Sequence, residues 1–94
     1  MENFYKKKKW EKKRNIILKR DDYLCQECKK YGRTEPATTV HHIIPIDVDI
    51  TKALDNNNLI SLCNKCHNEM HDRGSKALSQ KGIELMEKIL YPPP

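Results

Sequence analysis

Apolar positions are sparse in this chain, and their period changes along it. Between Trp10 and Arg20 the residues Trp10, Ile17 and Leu18 fall at spacings that share one helical face, with Ile16 flanking them. Asp21 and Asp22 end that helix, and Tyr23-Leu24 lead into a cysteine pair. Residues 29–37, punctuated by Gly32 and Pro36, read as a loop. Thr38 to Ile44 is rich in β-branched residues and reads as a strand stopped by Pro45. Residues 46–58 are a polar connection that closes in Asn56-Asn57-Asn58, a turn composition. Leu59-Ile60-Ser61-Leu62 is a second short strand, and Asn64 is placed to cap a helix from Lys65 to about Arg73, which Gly74 stops. A last helix, Gln80 to Leu90, sets Ile83, Met86, Ile89 and Leu90 on one stripe. The pattern predicts a basic arm over residues 1–9, a single domain over 10–91 and a proline tail at 92–94.

Composition sharpens this picture. Only 37% of the 94 residues are hydrophobic, below the usual ~45–50%, and six are aromatic, so a single thin core is expected to need a staple. Charged residues are 33% of the chain, with a net charge of +5. Residues 1–20 hold nine basic and two acidic groups, so the excess is concentrated at one end and points to a polyanion as partner. No run approaches the ~18 apolar residues of a membrane span, and the basic N-terminus lacks the apolar core of a secretory signal. The expectation is a cytoplasmic protein with no membrane partner and with reduced thiols.

The staple is legible in the cysteines. Cys25-Gln26-Glu27-Cys28 and Cys63-Asn64-Lys65-Cys66 are two C-x2-C knuckles separated by 34 residues. Each turns two sulfurs toward one ion, and the pair completes a tetrahedral four-sulfur shell suited to a structural Zn2+. Two disulfides are disfavoured in a reducing compartment, and neither knuckle sits in the βαβ setting of a redox C-x-x-C pair.

All four histidines flank the segment inserted between the knuckles. His67 and His71 are four apart on the predicted helix, a bidentate presentation for a metal ion. His41 and His42 are neighbours on a strand, so unless a bulge intervenes their side chains point to opposite faces and are expected to do different jobs. One can complete a metal shell while the other exchanges protons near neutral pH. Alone, two strand histidines would carry no signal; beside the H-x3-H pair and the knuckles they read as a site. Glu69 is read as solvated, because a metzincin-type base would need H-E-x-x-H. Trp10 is read as a core anchor, or a lid on the zinc knuckle, in preference to a base-stacking residue.

Taken together, His41-His42-Ile43-Ile44-Pro45, Asp55 through Leu59, and Leu62-Cys63-Asn64-Lys65-Cys66-His67 resemble the HNH endonuclease family. The chain is most similar to its small zinc-stapled, phage-type members, and the lead-in from Trp10 through Arg14, Ile17-Leu18 and Arg20-Asp21 to Cys25-Gln26-Glu27-Cys28 matches theirs. The resemblance implies a small α+β fold: a ββα-metal core with a structural four-cysteine zinc site and flanking helices. It implies His42 as general base and Asn58 as the residue that ties the loop between the strands and orients that base. His41, His67 and His71 are implied as ligands of one catalytic divalent ion, Mg2+, Mn2+, Zn2+ or Ni2+. The implied activity is hydrolysis of DNA phosphodiesters to 5′-phosphate and 3′-hydroxyl ends. For phage-type members it also implies work beside DNA-packaging proteins of the terminase or portal kind; in this chain the apolar last helix and the proline tail offer a surface for such docking.

The residue types suit that chemistry on their own. An imidazole with a pKa near working pH accepts a proton from water, and neutral imidazole ligands leave the full charge of a divalent ion to the substrate. An amide such as Asn58 can accept the ring N–H of His42 or lock neighbouring backbone. Lys13, Arg14, Lys65 and Arg73 are the candidate phosphate contacts, together with the lysine arm. The competing reading is a non-catalytic zinc module that binds nucleic acid through that arm.

Overall fold

The computed structural model describes residues 7–73 and 77–91. The first six residues of the predicted arm, the Gly74 helix stop and the proline tail lie outside the described residues.

Helix α1 spans Lys8–Arg20, two residues earlier than the apolar pattern marks, because nothing in Lys8 or Lys9 opposes helix. It buries Trp10, Ile17 and Leu18, which pack with Val40 and Leu59 as one cluster. The chain leaves α1 through Asp22 and Tyr23, both left-handed with φ near 56° and 58°. Each costs about 1–2 kcal/mol for a residue with a Cβ. The reversal is held by the Tyr23 amide donating to the Leu18 carbonyl at 2.8 Å. It delivers the first knuckle, where a short helix α2, Gln26–Lys30, replaces the start of the predicted loop. That helix is nucleated by the knuckle itself, as the Cys28 amide donates to the Cys25 sulfur.

Strands β1, Thr39–His42, and β2, Leu59–Leu62, form a two-stranded antiparallel sheet in which His41 pairs with Ile60 and His42 with Leu59. The first strand is shorter than predicted. Ile43 and Ile44 leave the ladder and are held instead by Asn58, whose carbonyl accepts from the Ile43 amide and whose side chain grips Ile44. Strand alternation then divides the sheet. Val40, His42, Leu59 and Ser61 face α1; His41, Ile60 and Leu62 face the second layer.

That second layer is α2, α3 (Asn64–Glu69) and α4 (Gln80–Leu90), packed as a cluster of Cys25, Cys28, Leu62, Cys66 and Met70, with Leu85 of α4 against it. Two differences from the sequence reading occur here. Cys63, not Asn64, occupies the cap position of α3, and α3 ends at Glu69 instead of continuing to Arg73. The helix stops because the segment before α4 captures its end. The Met70 carbonyl accepts from the Ser79 amide, the Glu69 carbonyl from the Ser79 hydroxyl, and His71 forms a lone bridge with Leu78. Ser79 caps α4 through Gly82, where a Cβ would collide with the Met70 carbonyl oxygen. Among the described residues no helix is long and apolar enough to cross a membrane.

One polar clamp joins α1 to β2. Arg20 donates to both carboxylate oxygens of buried Asp21 and to the carbonyls of Asn56 and Leu59, while Asp21 also accepts from the Ser61 amide. Burial works against the Asp21 charge, but Arg20 and Ser61 outweigh it and hold its carboxyl below the ordinary range.

Candidate active site and metal centres

His41, His67 and His71 converge on the second-layer side of the sheet. Their ring centroids lie 5.0–5.4 Å apart in edge-to-face contacts, and their ligand nitrogens fall within 4.8 Å of one another. His71 arrives without being helical. It follows the end of α3, and its bridge to Leu78 holds it beside His67. His41 is 2% exposed, and its Nε2 has no hydrogen-bond partner among the described residues. An unpartnered buried polar atom costs about 1–3 kcal/mol, which a cation on that nitrogen would relieve. Burial, and then the neighbouring His67, His71 and His42, push the His41 pKa down to about 3; burial and His71 lower that of His67. Both are therefore neutral, lone-pair donors at pH 7. The donor set fits one divalent ion.

His42 leaves the strand on the opposite face. Its Nε2 lies 2.9 Å from the Ala53 carbonyl, an atom that can only accept, so Nε2 carries the proton and basicity resides on Nδ1. Burial lowers its pKa and the bond to Ala53 partly offsets this. Trp10 stacks on the ring, with centroids 4.8 Å apart and planes 25° from parallel. A cleft of about 420 Å³ is lined by all three clustered histidines and by His42, with Pro45 and Asp47 on its wall.

Asn58 is 1% exposed and takes one of the two roles open to it, locking the backbone. Its Oδ1 accepts from the Ile44 amide, and its Nδ2 donates to the carbonyls of Ile44 and Lys52. It thus ties the end of β1 to the residue before Ala53, and it is the Ala53 carbonyl that holds His42. Neither Ala53 nor Trp10 was legible as a neighbour of His42: a backbone carbonyl carries no side-chain signal, and Trp10 arrives from a separate helix.

Four sulfurs gather at the second centre. Cys28 lies 3.6 Å from Cys66 and 3.9 Å from Cys63, and all four cysteines are unbridged. A tetrahedral ion with Zn–S bonds of ~2.3 Å sets its sulfurs about 3.8 Å apart, so the cluster fits Zn2+. For Cys25, burial opposes ionisation but donors from Cys28 and Cys63 outweigh it, bringing its pKa to about 7; burial and the neighbouring sulfurs push Cys66 up. Four thiolates therefore need a cation to coexist.

Of the basic candidates, Lys13 donates to Asn56 Oδ1 and Arg14 to the Thr38 carbonyl, so both bind the protein's own loops. Lys65 lines a smaller cleft with Arg33 and Glu35 at the sulfur cluster, away from the histidines. Arg73 is exposed, two residues beyond His71.

Residues 25–73 match the HNH endonuclease family. This chain belongs to it. Among solved structures, this HNH endonuclease is similar to the HNH endonuclease of the deep-sea thermophilic bacteriophage GVE2, whose crystal structure was determined with manganese ion. Identity is 48% over 69% of this chain and 71% of that one, with a TM-score of 0.68. The curated proteins contain no match. The recognised fold class, a small α+β HNH domain with four cysteines set to bind a metal, is as the motifs implied. The chain is a nuclease, and family membership implies DNA as its substrate.

Proposed function

We propose that this HNH nuclease hydrolyses DNA phosphodiesters with His42 as general base, a divalent ion on His41, His67 and His71, and a structural Zn2+ on the four cysteines. The observation that carries the reading is the division of two adjacent histidines. His41 turns to the other two imidazoles, His42 turns to Ala53, and both reach one cleft. His42 accepts a proton from the attacking water at Nδ1, while Ala53 holds the Nε2 proton and fixes the tautomer. Asn58 keeps Ala53 in place from one residue away, through the Lys52 carbonyl. Three neutral imidazoles add no charge of their own to the site. When bound, the ion supplies positive charge to the phosphate and the departing 3′-oxygen. Manganese is the first ion to try, given the ion of the GVE2 structure.

Supercoiled plasmid incubated with the protein and Mn2+ should be nicked, EDTA should stop the reaction, and the ends should be ligatable without prior phosphorylation. Ends that require a kinase before ligation would contradict the assigned products. A phage packaging role rests on the phage origin of the neighbour; co-purification with a terminase or portal protein, lost on deleting residues 80–94, is its test.

A further inference from the structure

A hydrogen bond at Nε2 pins one corner of the His42 ring but not its plane, since the terminal torsion of histidine has a broad, soft profile. The plane is set by something else. Trp10 covers the imidazole face at 4.8 Å and 25°. It is 5% exposed and is itself fixed by Ile17, Leu18, Val40 and Leu59. The ring is therefore held at an edge by Ala53 and across a face by the indole, two constraints that together define where Nδ1 points. General-base catalysis depends on that direction, because the acceptor lone pair must meet the water proton within hydrogen-bond reach.

We propose that Trp10 is a positioning residue of the reaction: through its stack on His42 it fixes the imidazole plane and so the aim of Nδ1. Helix α1, which lies before the matched residues 25–73, then serves the active site from behind the His42 ring without lining the cleft. This inference rests on the assignment of His42 as base, and the test separates the two.

The variants are Trp10→Phe, Trp10→Leu and Ile17→Ala, each also made with His42→Ala. Ile17→Ala empties the same cluster without touching the His42 ring, so it reports what loss of packing alone does. Two properties are read: plasmid-nicking kcat and KM with Mn2+, and the proton NMR shifts of the His42 ring before Mn2+ is added. The indole should shift the His42 ring protons upfield, an effect lost in Trp10→Leu and retained in Trp10→Phe and Ile17→Ala. Turnover should fall about tenfold or more in Trp10→Leu, within the ~10²–10⁴-fold that a base contributes. KM should stay within about threefold, and Trp10→Phe should restore the rate. With His42→Ala, Trp10→Leu should lower the residual rate no further. Should Trp10→Leu fail to fold, Trp10→Met takes its place as the ringless variant: it should lose both the shift and the rate, while Trp10→Phe and Ile17→Ala, which keep a ring at position 10, retain both. Unshifted His42 protons in the wild type, or an equal fall in kcat in Ile17→Ala, overturn the proposal and leave Trp10 as core. Wild-type cleavage by His42→Ala overturns the base assignment and this inference with it. Loss of cleavage by His42→Ala with a neutral Trp10→Leu overturns this inference alone.

Discussion

Cys63 and Cys66 flank the start of α3, His67 follows Cys66 within it and His71 lies beyond its end, so one short helix serves both a sulfur centre and a nitrogen centre. The sulfur centre is closed. Its four donors come from two knuckles, and their spacing matches the edges of a tetrahedron. The nitrogen centre supplies three donors and opens onto a cleft shared with His42. A saturated shell holds structure together, whereas an open one leaves room for substrate. The buried atoms differ accordingly. The cysteines pack into a core cluster with Leu62 and Met70, while the His41 Nε2 has no hydrogen-bond partner among the described residues.

The two centres should fail differently. Cys66→Ser should have the largest effect, abolishing a cooperative thermal transition, since structural zinc in small domains is worth on the order of 10 kcal/mol. A circular-dichroism melt resembling the wild type would show that the sulfur centre is dispensable. His67→Ala should leave that melt within a few degrees but remove both cleavage and the rise in Tm produced by Mn2+; loss of the fold would erase the distinction.

Acid should sharpen the comparison. Unfolded His41 takes up a proton near its ordinary pKa of 6.5, whereas the folded residue refuses one until about pH 3. The unfolded chain thus binds more protons through that window, and stability falls as pH falls, by about 1.4 kcal/mol per pH unit. Unfolding free energies of wild type and His41→Ala without added Mn2+ should diverge with this slope between about pH 6 and 4.5. Parallel curves would mean that His41 is not held neutral by burial. Turnover should follow the same sign, dropping only below pH 6.5 because the His42 pKa is also lowered.

Gly82→Ala tests the joint between the centres. The added methyl would meet the Met70 carbonyl, pushing α4 and the Leu78–His71 bridge away from the histidines. A loss of about 1–3 kcal/mol is expected from such overpacking, with weakened Mn2+ stabilisation and normal zinc content. Unchanged Mn2+ stabilisation would show that α4 does not hold His71.

Much of this was legible in the sequence because ligands are discrete. Cysteine pairs, the H-x3-H spacing and Asn58 are particular residue types at particular intervals, and strand alternation alone separates His41 from His42. What escaped the sequence reading depends on tertiary contact. Helix propensity could not show that α3 would be cut short at Glu69 by Ser79, or that His71 would reach its place as bridge instead of helix. Ile43 and Ile44 look like strand, but the Asn58 carbonyl takes the Ile43 amide and the Asn58 side chain takes the amide and carbonyl of Ile44. Lys13 and Arg14 sit on a charged helix face, yet loop carbonyl and amide oxygens of the protein take their hydrogen bonds.

At the centre of the proposed mechanism is a division of labour between two neighbouring histidines. Its most direct test is to measure Mn2+ stabilisation and plasmid nicking side by side in His41→Ala and His42→Ala. His42→Ala should keep the Mn2+-induced rise in Tm and lose at least about 10²-fold in cleavage, while His41→Ala should lose both. A His42→Ala protein that cuts DNA at the wild-type rate, or that no longer responds to Mn2+, would contradict the division of labour.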